Sequence, residues 1–130
     1  VRIDGTIDNS STQIGGTVAL ISANNDVTVA AASSTERGNI DNSTTGGNGG
    51  NIAITAGDDA TVDGVIDNRS TVIAGNINII GVDGSATVSN NGSNLTFAIN
   101  NSSSGGPGTR DEPIQVRRIG VPLTACRQNQ

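Results

Sequence analysis

Residues 49–68 read GGNIAITAGDDATVDGVIDN, and this stretch decides the fold. It holds three short β-like pieces, Ile52-Ala53-Ile54, Ala60-Thr61-Val62 and Val65-Ile66-Asp67-Asn68, divided by Gly and Asp turns. Gly, Asn and Asp punctuate strands because they tolerate tight turns and bond their own backbone. None of the three pieces is long enough to stand alone, so the stretch predicts one unit of a stack.

Working outward, each piece recurs in order. Ile-Asp-Asn-x-Ser/Thr begins at Ile7, Ile40 and Ile66, and Ile-Asn-Asn-Ser begins at Ile99, with spacings of 33, 26 and 33 residues. The Gly-led piece recurs as Val18/Leu20, Ile52/Ile54 and Ile77/Ile79, and the Asp/Thr piece as Val27/Val29, Ala60/Val62 and Ala86/Val88. Apolar and small polar residues alternate along each piece, which places one face inward. At a shift of 59 residues, Ile3 to Val29 overlies Val62 to Val88, with Asp4-Gly5 on Asp63-Gly64, so two coils form a super-repeat. The difference between long and short coils falls in one link, Ala31 to Gly38 and again Ser89 to Asn94, which marks one edge of the stack as the site of variable loops.

The predicted architecture is an all-β parallel β-helix, a β-solenoid with three short strands per coil and coils of 26 to 33 residues. Parallel stacking makes columns of like residues. Ile7, Ile40, Ile66 and Ile99 form an inward column, and Asn9, Asn42, Asn68 and Asn101 a second, whose side-chain amides can pair as a ladder. Residues 1–105 carry the repeats, about three to four coils. After Ser104 the pattern fails at Gly105-Gly106-Pro107-Gly108, and all three prolines fall in residues 106–130, a Pro/Arg-containing cap or exit tail. Within it Ile114 and Val116 suit one more edge strand, and charge with proline would blunt the open end. The chain opens on Val1, which reads as a fragment or processed piece of something longer.

Composition agrees with a thin interior. The 130 residues hold one Phe and no Trp, Tyr, Met, His or Lys, so Ile, Val, Leu and Ala must fill the core. Up to Gly105 there are ten Asp/Glu against three Arg, and no basic face repeats to meet phosphates, which speaks against nucleic acid. The lone Cys126 has no internal disulfide partner, and no apolar run suits membrane insertion.

GGNIAITAGDDATVDGVIDN, with GGTVALISANNDVTV and GNINIIGVDGSATV, resembles the repeat tracts of filamentous haemagglutinin-type exoproteins, the large passengers of two-partner secretion. The resemblance covers residues 1–105. It implies a right-handed parallel β-helix, export to the surface of a Gram-negative-type bacterium, and a non-enzymatic structural or adhesive role. Implied partners are host or neighbouring-cell glycans or surface proteins and the transporter of the full-length protein. The amino-terminal secretion domain of that family is not in this sequence, and the Pro/Arg tail departs from its pattern.

Other chemistry has few residues to rest on. Asp58, Asp59 and Asp63 are the densest group of carboxylates, the acid/base groups a carbohydrate-active β-helix (polysaccharide lyase or hydrolase) would need without histidine. They stand at turn and outward positions where Asp serves local hydrogen bonding, and no aromatic platform accompanies them. Asp8, Asp41 and Asp67 stack outward, where Ca²⁺ could bridge coils, but GGNGGN at 46–51 lacks the Asp of a calcium-binding β-roll, and a solvated acidic edge is the expectation. Thr28, Thr61 and Thr87 make an outward column reminiscent of ice-binding solenoids, though one residue wide, and β-propensity accounts for it. Each Asn of the ladder column sits in an Asn-x-Ser/Thr sequence, but inward amides cannot carry glycans. No catalytic, cofactor or metal residue is therefore assigned.

Overall fold

The computed structural model describes residues 1–33, 37–89, 99–104 and 114–118. In these residues the chain is a parallel β-helix without helices: three parallel sheets of four strands each, one strand per sheet per coil. The first sheet stacks β1 (Arg2–Asp4), β4 (Val27–Ala30), β7 (Ala60–Val62) and β10 (Ala86–Val88). The second stacks β2 (Ile7–Asp8), β5 (Ile40–Asp41), β8 (Ile66–Asp67) and β11 (Ile99–Asn100). The third stacks β3 (Val18–Ser22), β6 (Ile52–Ala56), β9 (Ile77–Gly81) and β12 (Ile114–Arg118).

Register follows the repeat. Ile7 pairs with Ile40, Ile40 with Ile66 and Ile66 with Ile99. Val18-Ile52-Ile77 and Leu20-Ile54-Ile79 align in the third sheet, and Ile3-Val29-Val62-Val88 in the first. Register is strict because slipping by one residue would turn every Ile and Val to solvent. In the central coils Ile40, Ile54, Ile66, Ile79, Val29 and Val62 are completely buried. Each such side chain contributes about 1.5–3 kcal/mol by leaving water.

The edge strand expected around Ile114 and Val116 is present as β12, which pairs with β9 from Ile114↔Ile77 to Arg118↔Gly81. The links expected to vary, Ala31 to Gly38 and Ser89 to Asn94, fall partly on 34–36 and 90–98, outside the described residues, as do Leu95, Phe97, the Gly105–Gly108 cluster and the tail from 119. Their anchors are placed: β4 leads to β5 across residues 31–39, whereas β7 leads to β8 across 63–65 alone.

The turn between the second and third sheets is built on glycine. A Cβ on Gly50 would overlap the carbonyl oxygen of Gly16, and one on Gly75 the carbonyl oxygen of Gly50. Successive coils thus pass backbone against backbone at this corner, and any side chain would push them apart. The glycine tract at 46–51 is explained by this close approach, since Gly46 likewise abuts the Thr12 carbonyl.

Candidate functional site

The residues singled out from the sequence lie in four columns. The first runs through the interior. Asn9 Nδ2 donates to Asn42 Oδ1 at 2.6 Å, Asn42 Nδ2 to Asn68 Oδ1 at 2.8 Å, and Asn68 Nδ2 to Asn101 Oδ1 at 2.8 Å. Asn42 and Asn68 have no exposed surface. A buried amide without partners would cost about 1–3 kcal/mol per orphaned group, and the ladder satisfies each amide with the next. Asn68 Nδ2 also reaches the Gly75 carbonyl at 3.3 Å, tying the ladder to the glycine corner. Enclosed in this way, the Asn-x-Ser/Thr sequences at 42 and 68 are inaccessible to glycan attachment.

Beside it, on the outer face, stands the acidic column. Asp8 Oδ1 accepts from the Ser10 amide at 3.0 Å and its hydroxyl at 2.7 Å, and Asp41 Oδ1 accepts from the Ser43 amide at 2.9 Å. Asp67 Oδ1 accepts from the Arg69 amide at 3.2 Å. Each carboxylate thus closes the turn two residues on, as Asp does where strands end. The Ser10 hydroxyl, then its amide, holds the Asp8 carboxyl below the ordinary value of 3.8. Arg69 supplies the cation of this edge: Nη2 lies 2.7 Å and Nε 2.9 Å from Asp67 Oδ2. Its guanidinium is held more firmly protonated by the Asp67 hydrogen bond, by the Asp67 charge and, more weakly, by Asp41.

The carboxylates at the turn between the third and first sheets are regrouped relative to the sequence reading. Asp58 and Asp59 are joined by Asp26 of the preceding coil, with all three exposed and their oxygens within 4.8 Å of one another. Asp63 is instead half-buried, where its Oδ1 accepts from Ser89 Oγ at 3.0 Å. Asp26 Oδ1 accepts from the Asp59 amide at 3.1 Å, and Asp59 Oδ1 from the Ser85 amide, so this column caps the start of each following strand. Sequence distance hid the grouping, because Asp26 meets Asp59 only through the coil period.

Thr28, Thr61 and Thr87 do align outward, each paired in register with the next. The column starts at Arg2, which pairs with Thr28, and the neighbouring outward rank contains Asp4 and Asp63. A charged rank beside a single row of threonines is not the flat hydroxyl-and-methyl array associated with ice.

The structure adds a face that the sequence reading passed over. Just beyond β2, β5, β8 and β11 lie Ser10-Ser11-Thr12, Ser43-Thr44-Thr45, Arg69-Ser70-Thr71 and Ser102-Ser103-Ser104, bridged in register at Ser11↔Thr44 and Ser70↔Ser103. Ser10, Ser11, Thr12, Asp41, Ser43 and Thr45 line an open groove of about 530 Å³. A second of about 230 Å³ continues from Ser43 and Thr45 past Arg69 to Ser102 and Ser104. Ser70 Oγ, on its inner wall, is buried without a hydrogen-bond partner among the described residues. The signal was present, because the x-Ser/Thr end of each Ile-Asp-Asn motif is followed by a further Ser or Thr, and stacking turns three such residues into ranks. Hydroxyls, one carboxylate and one guanidinium along a groove can exchange hydrogen bonds with a polyhydroxylated chain.

Comparison with protein-family models, with curated proteins and with solved structures gives no match to this chain.

Proposed function

We propose that the chain is a non-enzymatic structural and adhesive segment of a large secreted bacterial surface protein, in which the coils act as a rigid spacer and polar surface features make contact with glycans or surface proteins. The observation that supports this reading is the use of the polar residues. The buried asparagines and most of the turn aspartates are bonded to the next coil or to their own turn, which builds a continuous rod. The resemblance to filamentous haemagglutinin-type repeats supports export to the cell surface through a dedicated transporter. Contact is assigned to the hydroxyl-lined groove and to the long links at 31–38 and 89–94.

Beads carrying the purified chain test the adhesive part by attachment to cells and to arrayed glycans. Deleting both links, and separately changing Ser43 and Thr45 to Arg, are each expected to leave the fold intact, and at least one is expected to lower attachment. Unchanged attachment in both variants would remove the adhesive part of the reading. A second reading, the carbohydrate-active enzyme, draws on the gathering of Asp26, Asp58 and Asp59. Release of reducing ends or unsaturated products from acidic polysaccharides, abolished by Asp26→Asn, Asp58→Asn and Asp59→Asn together, would favour it instead.

A further inference from the structure

The groove that runs past Arg69 is lined by hydrogen-bonding groups the fold itself leaves unused. Its centre, at Ser43, Thr45, Arg69 and Thr71, lies on the second and third coils, each flanked by a described coil on both sides, so it depends on neither end of the stack. In the first and fourth coils the matching serines give their hydroxyls to the neighbouring column, Ser10 to Asp8 at 2.7 Å and Ser102 to Asn100 at 3.0 Å. The hydroxyls of Ser43, Thr45 and Thr71 make no hydrogen bond among the described residues. Ser70, in the groove lining, is 3 % exposed and its Oγ is likewise unpartnered. Buried hydroxyls are ordinarily paired, and a groove backed by an orphan suits a ligand rich in hydrogen-bonding groups.

Arg69 stands at the position that Ser43 and Ser102 hold in the adjacent coils. Asp67 fixes its guanidinium through Nη2 at 2.7 Å and Nε at 2.9 Å, which leaves Nη1 with two oriented N–H donors. Beyond Thr71 the same coil turns through Val72 and Ile73, both exposed. We propose that this groove binds an uncharged polysaccharide lying along the stack axis. The inference rests on the adhesive reading above and names its ligand: Arg69 Nη1 donates to the sugar hydroxyls, Ser43, Thr45 and Thr71 exchange hydrogen bonds with them, and Val72 and Ile73 meet the apolar C–H faces.

Spacing and charge select this ligand. Thr45 and Thr71 occupy neighbouring coils about 4.8 Å apart, close to the length of one pyranose residue, so a chain along the axis presents successive sugars to successive threonines. Asp67 cancels the Arg69 charge, Asp41 lies near enough to favour its protonation further, and the whole chain carries a net charge of -5. A polyanion therefore meets repulsion here, whereas a neutral chain of hydroxyls does not.

Affinity electrophoresis of the full chain through native gels containing dextran, a soluble β-glucan, a mannan or polygalacturonate tests it. At least one neutral polymer is expected to retard the wild type, undiminished by added salt, and polygalacturonate is not. Thr45→Val with Thr71→Val keeps side-chain shape while removing two hydroxyls, and is expected to weaken the retarding interaction by about ten-fold. Should that variant fail to fold by circular dichroism, methyl NMR on the wild type decides: the Thr45 and Thr71 signals shift on titration with the retarding polymer while those of Thr28 and Thr61, on the first sheet, do not. No retardation by any neutral polymer, retardation by polygalacturonate that salt removes, a folded double variant that binds as wild type does, or methyl shifts confined to Thr28 and Thr61 would each overturn the inference. If beads carrying the chain still attach to cells when no neutral polymer retards it, this inference alone falls and the adhesive reading stands on the long links; if attachment is absent as well, both fall.

Discussion

Changing Asn42 to Asp replaces one NH₂ by an oxygen at the centre of the buried ladder. The backbone, the side-chain shape and the hydrogen bond received from Asn9 at 2.6 Å are all retained. What is lost is the donor that reaches Asn68 Oδ1 at 2.8 Å, leaving two oxygens face to face in a site with no exposed surface. Rotating the Asn68 amide would restore a donor there, but it would forfeit the bonds from Asn68 Nδ2 to Asn101 and to the Gly75 carbonyl. The introduced carboxyl therefore folds in its protonated form. Burial of this kind raises a carboxyl pKa by about 3–5 units, which corresponds to about 4–7 kcal/mol of lost stability at neutral pH. Against a typical domain stability of about 5–15 kcal/mol, that leaves the variant marginal or unfolded at pH 7.

The sign with pH follows from proton binding. Between the unfolded carboxyl value near 3.9 and the raised folded value, the folded variant holds a proton that the unfolded chain has released. Stability of the variant then falls by about 1.4 kcal/mol for each unit of rising pH across that window, relative to wild type, and recovers on acidification. Urea unfolding of both proteins between pH 4 and pH 8, followed by far-ultraviolet circular dichroism, measures this slope. A variant within about 1 kcal/mol of wild type at pH 7, with a parallel pH profile, would refute the view that each amide depends on the next.

Other positions give independent checks. Gly50→Ala drives a methyl group into the Gly16 carbonyl and is expected to destabilise by about 1–3 kcal/mol or more in thermal unfolding, whereas Gly→Ala at an unobstructed site would be near neutral. Arg69→Ala is expected to lower stability by less than about 1 kcal/mol, because the Arg69–Asp67 pair is substantially exposed, and to make stability rise with added salt as the Asp41–Asp67 repulsion is screened. The Asp8 carboxyl is expected to titrate below its ordinary value by carbon-detected NMR. Since its folded pKa is depressed, its contribution is present above the unfolded value and is lost as pH falls through the folded one; Ser10→Ala should bring the titration upward.

The fold was readable because stacking makes sequence period and spatial neighbour the same thing. Ile7, Ile40, Ile66 and Ile99 recur at the coil spacing and pair in that order, and the asparagine two residues on each time can only meet its own kind. Less visible was anything that depends on which turn an acid belongs to. Asp63 looks adjacent to Asp58 and Asp59 in the chain, yet a strand separates them, and its partner is Ser89 of the next coil. The hydroxyl groove escaped notice for a related reason. A Ser or Thr follows each Ile-Asp-Asn-x-Ser/Thr motif and its Ile-Asn-Asn variant, but these residues are so common in the chain that the recurrence stands out only once the bridges Ser11↔Thr44 and Ser70↔Ser103 set them in ranks.

The stack depends on one-to-one parallel register between neighbouring coils, and disulfide trapping reads that register directly. With the native Cys126 changed to Ser, the pair Thr28→Cys and Thr61→Cys occupies partnered positions on the outer face of β4 and β7. Adjacent strands stand about 4.8 Å apart, within the span of a disulfide, whereas a partner displaced by two residues lies about 8 Å away and outside it. The account predicts rapid oxidation of the 28/61 pair in the folded protein, and none for Thr28→Cys with Asp63→Cys. Equal trapping of both pairs, or preferential trapping of 28/63, would contradict it.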